Sequence, residues 1–98
     1  MRSVRILPAA RADLLEIWQF IARDSVNNAS RVTDAIEREI RGLAEFPGKG
    51  HGRADVNDQR YRFWSVFSYL IAYRFDDESL TVVRVIHGRR DVRRFFKR

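Results

Sequence analysis

The sequence predicts an α+β domain in which a helix hairpin packs on one face of a small, largely antiparallel sheet. Two stretches in the first half repeat apolar residues at intervals of three and four, which is the period of a helix face. The second half alternates with a period of two, as strands do, and a glycine-rich segment separates the halves. The predicted order is therefore β-α-α-β-β-β, and the C-terminal tail could add a short final helix.

The first half supplies one strand and two helices. Residues Val4–Leu7 are mostly aliphatic and Pro8 stops them, which predicts a short strand. Helices are predicted over Ala9–Arg23 and Ala29–Leu43, joined by the turn and cap formers of residues 24–28. The apolar residues that repeat at helical spacing are Leu14, Ile17, Trp18 and Ile21 in the first helix and Ala29, Val32, Ile36, Ile40 and Leu43 in the second. The short connection implies that the helices are antiparallel.

The second half begins with a loop and continues with strands. Residues 47–59 hold three glycines and a proline, with little that could enter a core. Alternation begins at Tyr61, and residues 69–75 and 80–87 flank an acidic turn, which predicts a hairpin. After Gly88 the apolar residues Val92, Phe95 and Phe96 form the stripe of a short tail helix.

Length and composition limit the classes of function. Residues 1–98 are expected to form a single domain, too small for a deep cofactor cavity, so no cofactor is expected. The chain has no cysteine, and its two histidines lie in dissimilar contexts, so no metal site is expected. No apolar run is long enough for a signal peptide or a membrane span, which predicts a cytoplasmic protein without membrane contact.

The charge is concentrated toward the C-terminus. The net charge is +6: residues 1–49 carry eight basic and seven acidic side chains, and residues 50–98 carry eleven and six. The last ten residues hold Arg89, Arg90, Arg93, Arg94, Lys97 and Arg98 against Asp91. Only two of the nineteen basic residues are lysines. Because guanidinium groups bind phosphate and carboxylate bidentately, this bias predicts recognition of a polyanion, either nucleic acid or an acidic protein.

Several motifs allow both a functional and a structural interpretation. The glycines of residues 48–52 could cradle a phosphate, but without P-loop spacing a plain mobile connection is favoured. His87 could act as a general acid or base beside arginines, although a structural histidine at the sheet edge is favoured. A set of strand aromatics could stack on bases, but core packing is favoured, with Tyr61 or Trp64 the best candidates for exposure. The set is Trp64, Tyr69, Tyr73 and Phe75.

Three strand arginines are a further open case. Arg62, Arg74 and Arg84 would be presented together if one sheet face met solvent. The alternative is that they are scattered arginines with no common role. The residues alone leave both open.

Four segments together resemble the ParE/RelE superfamily of toxins across nearly the whole chain, and the last of them is most similar to the ParE branch. They are Ala12-Asp13-Leu14-x-x-Ile17-Trp18 with Ile21-Ala22, Leu43-Ala44-x-x-Pro47-x-x-Gly50, Tyr69-Leu70-Ile71-Ala72-Tyr73-Arg74 and residues 83–91. The resemblance implies the toxin of a type II toxin-antitoxin pair, neutralised by a ParD-like antitoxin that wraps it. Operator DNA is then expected to be bound only through the antitoxin.

The resemblance also implies a target. ParE relatives poison DNA gyrase, whereas RelE relatives cut messenger RNA on the ribosome with lysines, arginines and a late tyrosine or histidine. The scarcity of lysine and the lack of a tyrosine after Tyr73 favour gyrase inhibition, and thus a protein that binds rather than an enzyme. The ribosome-dependent endoribonuclease is the alternative, with His87 and Arg84 as its catalytic candidates, beside Arg62 and Arg89.

Two sets of contact residues are expected on this basis. The target-binding set is Arg62, Arg84, Arg89, Arg90, Arg93 and Arg94. The antitoxin-binding set is Leu14, Ile17, Trp18, Arg74, Arg89 and Arg90. In this hypothesis the antitoxin pairs its carboxylates with the arginines and docks apolar residues on the helix hairpin.

Overall fold

The computed structural model describes residues 2–90 and 92–96, and it confirms the predicted order of elements. The elements are β1 Ser3–Ile6, α1 Pro8–Ala22, α2 Val26–Glu45, β2 Arg62–Val66, β3 Tyr69–Phe75 and β4 Ser79–His87. Short 3-10 helices lie at Pro47–Lys49 and Val92–Phe95. The tail thus forms a single 3-10 turn. Asp91, Lys97 and Arg98, which belong to the predicted basic tail, lie outside the described residues.

Local sequence explains where the helices begin. α1 begins at Pro8, because proline has no N–H to leave unsatisfied at a helix start. α2 begins at Val26, three residues before the predicted position, because the Ser25 hydroxyl accepts a hydrogen bond from the Asn28 amide at 3.1 Å. The Trp18 indole of α1 donates to the Ser30 hydroxyl of α2 at 3.2 Å, which ties the hairpin together.

The four strands form one mixed sheet with the order β1-β4-β3-β2. β1 is parallel to β4, and the other two pairs are antiparallel. β1 is shorter than β4, so its register with β4 ends at Ile6 opposite Val82, and the Leu7 amide makes a last bond to the Val82 carbonyl at 3.0 Å. Residues 83–87 of β4 therefore extend beyond β1 along this side of the sheet.

Both faces of the sheet are covered. The helices bury one face around Ile36, Ile40, Leu43, Ile71 and Tyr73. A second apolar cluster covers the opposite face, and it is formed by Val56, Phe63, Ala72, Val83, Ile86 and Val92, with Tyr61, Leu70, Phe95 and Phe96 packed against it. The loop of residues 47–59 was expected to add little to a core. Val56 corrects that expectation, since it is 3% exposed and packs under the sheet.

The glycine-rich connection is held by a buried tyrosine. The Tyr73 hydroxyl donates to the Pro47 carbonyl and accepts from the Gly50 amide at 3.0 Å, and burial raises the pKa of this phenol. A side chain at Gly50 would collide with that hydroxyl. The start of this connection is therefore fixed to the sheet, and the Gly50 amide is already bonded and cannot serve a phosphate cradle.

The aromatic strand residues are mainly structural, as favoured from the sequence. Tyr73 is fully buried, and Trp64 and Tyr69 are half-buried against the same core, whereas Phe75 is partly exposed. Tyr61 and Trp64, the expected candidates for exposure, are both only half-exposed. Within the described residues, no helix is both long and apolar enough to cross a membrane.

Candidate functional site

A groove of about 520 Å³ runs between α1 and the part of β4 that extends beyond β1. We call it the α1–β4 groove. Its lining residues are Asp13, Glu16, Ile17, Gln19, Phe20, Arg23, Tyr69, Arg84, Val85, Ile86, His87, Arg90 and Phe95. The groove thus combines apolar side chains with three arginines, at the point where the sheet lacks a neighbouring strand. Such a surface can accept a peptide segment.

The centre of the groove is an ion pair between the helix layer and the sheet. The Asp13 carboxylate accepts from Nε and Nη2 of Arg84, both at 2.8 Å, and from the Val85 amide at 2.9 Å. Asp13 is almost completely buried and Arg84 is about two-thirds buried. The hydrogen bonds with Asp13 raise the pKa of Arg84. Asp13 therefore satisfies a β4 amide where β1 has ended, and it fixes the position of the arginine.

Arg84 in turn contacts the tail. Its guanidinium carbon lies 4.4 Å from the centroid of the Phe95 ring, a cation–π contact. Phe96 packs on Tyr61 and Phe63 with ring centroids 4.7 and 5.6 Å away, and Val92 is buried. The tail is thus anchored by apolar residues that alternate with its arginines.

The tail arginines are exposed but face different neighbours. Arg89, Arg90, Arg93 and Arg94 are all exposed. Arg90 lines the α1–β4 groove. The pKa of Asp55 in the preceding loop is lowered mainly by its hydrogen bonds with Arg53, and the charge of Arg93 adds to this effect. The described arginines of the tail thus contribute positive charge both to the groove and to the loop.

His87 lies in the groove at the end of β4. Its Nδ1 accepts from the Arg89 amide at 3.1 Å, and its ring meets the edge of Tyr69 with centroids 5.4 Å apart. These contacts are those of a structural histidine at a strand end. Arg84 and Arg90 line the same groove.

The hairpin residues expected to bind an antitoxin lie mostly inside the protein. Leu14 and Ile17 are each 8% exposed and belong to the helix-facing core, so the face of α1 that they form packs on the sheet. Trp18 is half-buried against Ser30. The exposed apolar side chains of the hairpin are instead Leu15, Phe20 and Val26, and only Phe20 among these lines the groove.

The three strand arginines do not form one surface. Arg84 is paired with Asp13. Arg62 and Arg74 line a separate pocket at the other end of β4, where Nη1 of Arg62 donates to the Gly50 carbonyl at 2.9 Å. The structure therefore separates Arg62 from Arg84 and His87, with which it was grouped under the ribonuclease alternative, and separates Arg74 from the tail.

Sequence reasoning did not find Asp13, Phe20 or Arg5. Asp13 precedes Ile17 by four residues, so it lies on the apolar face of α1, and a carboxylate there signals a buried cationic partner. Phe20 was harder to recognise as a site residue, since it lies outside the apolar repeat of α1. Arg5 lines the pocket of Arg62 and Arg74, and nothing in the local sequence marks it, because its neighbours in the sheet come from the far end of the chain.

Comparison with a solved structure supports the fold. A chain from the chromosomal ParDE TA system of P. aeruginosa superposes with a TM-score of 0.73 at 18% identity, covering 89% of this chain and 96% of that one. Two curated relatives come from Caulobacter vibrioides. Toxin ParE3 is 28% identical over 89 residues, which cover 90% of this chain and 87% of the relative. Toxin RelE3 is 24% identical over 88 residues, which cover 90% and 96%.

The fold and its relatives define a toxin of the toxin-antitoxin class. Residues 4–92 match the family described as the ParE toxin of the type II toxin-antitoxin system parDE. This match spans nearly the whole chain. The chain therefore belongs to the ParE toxin family.

Proposed function

We propose that this ParE-family toxin inhibits DNA gyrase by binding to it, and that a ParD-like antitoxin neutralises the toxin in the cytoplasm. The observation that carries the proposal is the basic C-terminal end, whose exposed arginines are held on an apolar anchor of Val92, Phe95 and Phe96. Arginines on an anchored segment lose less backbone entropy on binding than those of a free tail would, and their charge suits an anionic target surface.

Binding, rather than RNA cleavage, is supported by the surroundings of His87. It is the only imidazole that lines the groove, and its Nδ1 already accepts from the Arg89 amide. The Asp13 carboxylate is held by Arg84 and Val85, so it is poorly placed to exchange a proton with a substrate. In addition, apolar residues cover the sheet face opposite the helices, where stacking on RNA bases would need open aromatic rings.

The antitoxin is proposed to occupy the α1–β4 groove. Arg23 and Arg90 can pair with carboxylates of an acidic segment, and the exposed ring of Phe20 can pack against an apolar residue beside them. Arg89 and Arg90 would then be masked from the target. In this proposal the operator sequence is recognised only through the antitoxin.

A ribosome-dependent endoribonuclease is the second candidate. It is favoured by the co-location of His87, Arg84 and Arg90 in one groove and by the relative named RelE3. In that case His87 would supply a proton through Nε2, and Arg90 would contact the scissile phosphate.

A gyrase assay separates the two functions. Purified toxin is added to gyrase with relaxed plasmid and ATP, and in parallel to a translating extract with a labelled transcript. We expect supercoiling to fall with accumulation of cleaved DNA complexes, and the transcript to stay intact. If supercoiling is unchanged and the transcript is instead cut at intervals of whole codons, the protein is a ribonuclease and not a gyrase inhibitor.

The groove assignment predicts that Phe20→Ser weakens antitoxin binding. Phe20 is 65% exposed, so the variant should keep the fold, while the loss of apolar contact should raise the antitoxin Kd by about tenfold. The matched control is Leu15→Ser, a 57% exposed residue of α1 outside the groove lining. Calorimetric titration with the cognate antitoxin measures both. Equal affinities for the two variants would place the antitoxin elsewhere.

A further inference from the structure

A second basic site lies at the opposite end of β4 from the tail. Arg5 of β1 is in register with Thr81 of β4, and Thr81 is in register with Arg74 of β3, so the two arginines flank one position across three strands. A pocket of about 420 Å³ opens there, and Arg60 and Arg62 also line it. We call it the β1–β3 basic pocket. Thr81 precedes His87 by six residues in β4, about 20 Å along an extended strand.

Two arginines of this pocket, Arg5 and Arg74, are not neutralised locally, whereas Arg60 is paired with Asp58. Arg5 and Arg74 are exposed, and neither makes an ion pair with any residue that the structure describes. The one carboxylate among the pocket residues belongs to Asp76, and it closes the β3–β4 turn. It accepts from the amides of Glu78 and Ser79, both at 2.8 Å. Arg5 and Arg74 therefore present guanidinium groups whose N–H donors are available to a ligand.

We propose that the β1–β3 basic pocket binds the phosphate backbone of DNA. The planar guanidinium group can donate two hydrogen bonds to the oxygens of one phosphate. Arginines on adjacent β-strands can in this way contact successive phosphates of one DNA strand. A protein partner would need a central apolar anchor, and the apolar side chains that line this pocket are only Leu7 and Phe75. Contact through phosphates alone makes the binding independent of base sequence.

This inference goes beyond the proposed function, because it concerns DNA itself and requires no particular target protein. Arg5 and Arg74 flank Thr81 near the start of β4, whereas Arg89 and Arg90 follow its end, so the toxin can hold DNA and a protein with different arginines. A test of DNA binding by the pocket therefore does not depend on whether gyrase is the target.

The test is fluorescence anisotropy with a labelled mixed-sequence DNA duplex of about 20 base pairs, titrated over a range of NaCl concentrations. The variant is Arg5→Gln with Arg74→Gln. The matched control is Arg38→Gln with Arg41→Gln, which removes two exposed arginines from α2. We expect the pocket variant to raise the Kd on the order of 10- to 100-fold near 0.1 M salt and to flatten the salt slope by about 2. The control should change the Kd by less than about threefold.

Two results would overturn the proposal. One is an equal loss of affinity in the pocket variant and the α2 control, which would mean that the duplex responds only to net charge. The other is a polyglutamate peptide that binds as tightly as the duplex and loses affinity with the same variant, which would assign the pocket to acidic protein segments. Should the double variant fail to fold by circular dichroism, Arg74→Gln alone is expected to flatten the slope by about 1 and provides the same comparison.

Discussion

Replacing Asp13 with alanine is expected to lower the free energy of unfolding by about 3 kcal/mol. The change removes two acceptor oxygens and the three hydrogen bonds they accept: it leaves the partly buried Arg84 guanidinium without its partner and the Val85 amide without a bond. The contact of Arg84 with Phe95 should loosen as well, because Asp13 holds the guanidinium in place. Urea denaturation monitored by circular dichroism measures the loss.

The control for this prediction is Asp34→Ala, which removes an exposed carboxylate from α2. We expect its free energy of unfolding to stay within about 0.5 kcal/mol of wild type. Asp13→Asn keeps one acceptor oxygen and the shape of the side chain, so it should lie between the other two variants. A wild-type stability for Asp13→Ala would mean that the ion pair contributes nothing beyond the desolvation that it costs.

Replacing Arg89, Arg90, Arg93 and Arg94 with glutamine is expected to raise the toxin concentration for half-inhibition of gyrase by at least about 100-fold. Each arginine lost from a charged interface costs on the order of 1 kcal/mol of binding free energy. Four such losses total about 4 kcal/mol, which corresponds to more than a 100-fold change in affinity. The anchors Val92, Phe95 and Phe96 are untouched, so the Tm should change little.

A control variant that loses the same number of charges distinguishes a specific role of the tail arginines from an effect of net charge. Arg11, Arg31, Arg38 and Arg41 are exposed on the helices, and their replacement by glutamine removes the same four charges. We expect this variant to inhibit supercoiling nearly as well as wild type. If both variants lose inhibition to the same extent, the tail has no special role and the proposed mechanism fails.

The ion pair gives the groove and the tail a common structural basis. Asp13 belongs to α1, Arg84 to β4 and Phe95 to the tail, and they are joined in that order. Asp13→Ala should therefore also weaken gyrase inhibition more than its effect on global stability explains. The same assay, run at a temperature where the variant is fully folded, measures this difference.

The order of elements could be read from the sequence because it depends on local periodicity. The apolar repeats indicate α1 and α2 within a few helical turns each. The alternation in residues 61–87 indicates the strands in the same way, within a few residues. The start of α2 was predicted three residues too late, because it depends on one hydrogen bond that the Asn28 amide donates to the Ser25 hydroxyl. The ParE/RelE resemblance was likewise visible, since it rests on short motifs in a particular order.

The candidate site was only partly predictable. The basic tail and His87 were found because charge and residue type are visible in a sequence. The role of Leu14 and Ile17 was not, because an apolar helix face looks the same whether it packs on its own sheet or on a partner. The partner of Arg84 was also hidden, since Asp13 lies 71 positions away in the chain.

The sequence by itself determined the class of fold, the excess of arginine at the C-terminal end and the membership of a toxin superfamily. Each of these depends only on local sequence patterns and on composition. Only the tertiary structure decided that Arg84 is paired, that Arg62 and Arg74 line a pocket separate from the α1–β4 groove, and that Arg5 and Arg74 flank Thr81. The physical reason is the parallel pairing of β1 with β4, which brings together residues from the two ends of the chain that no local period connects.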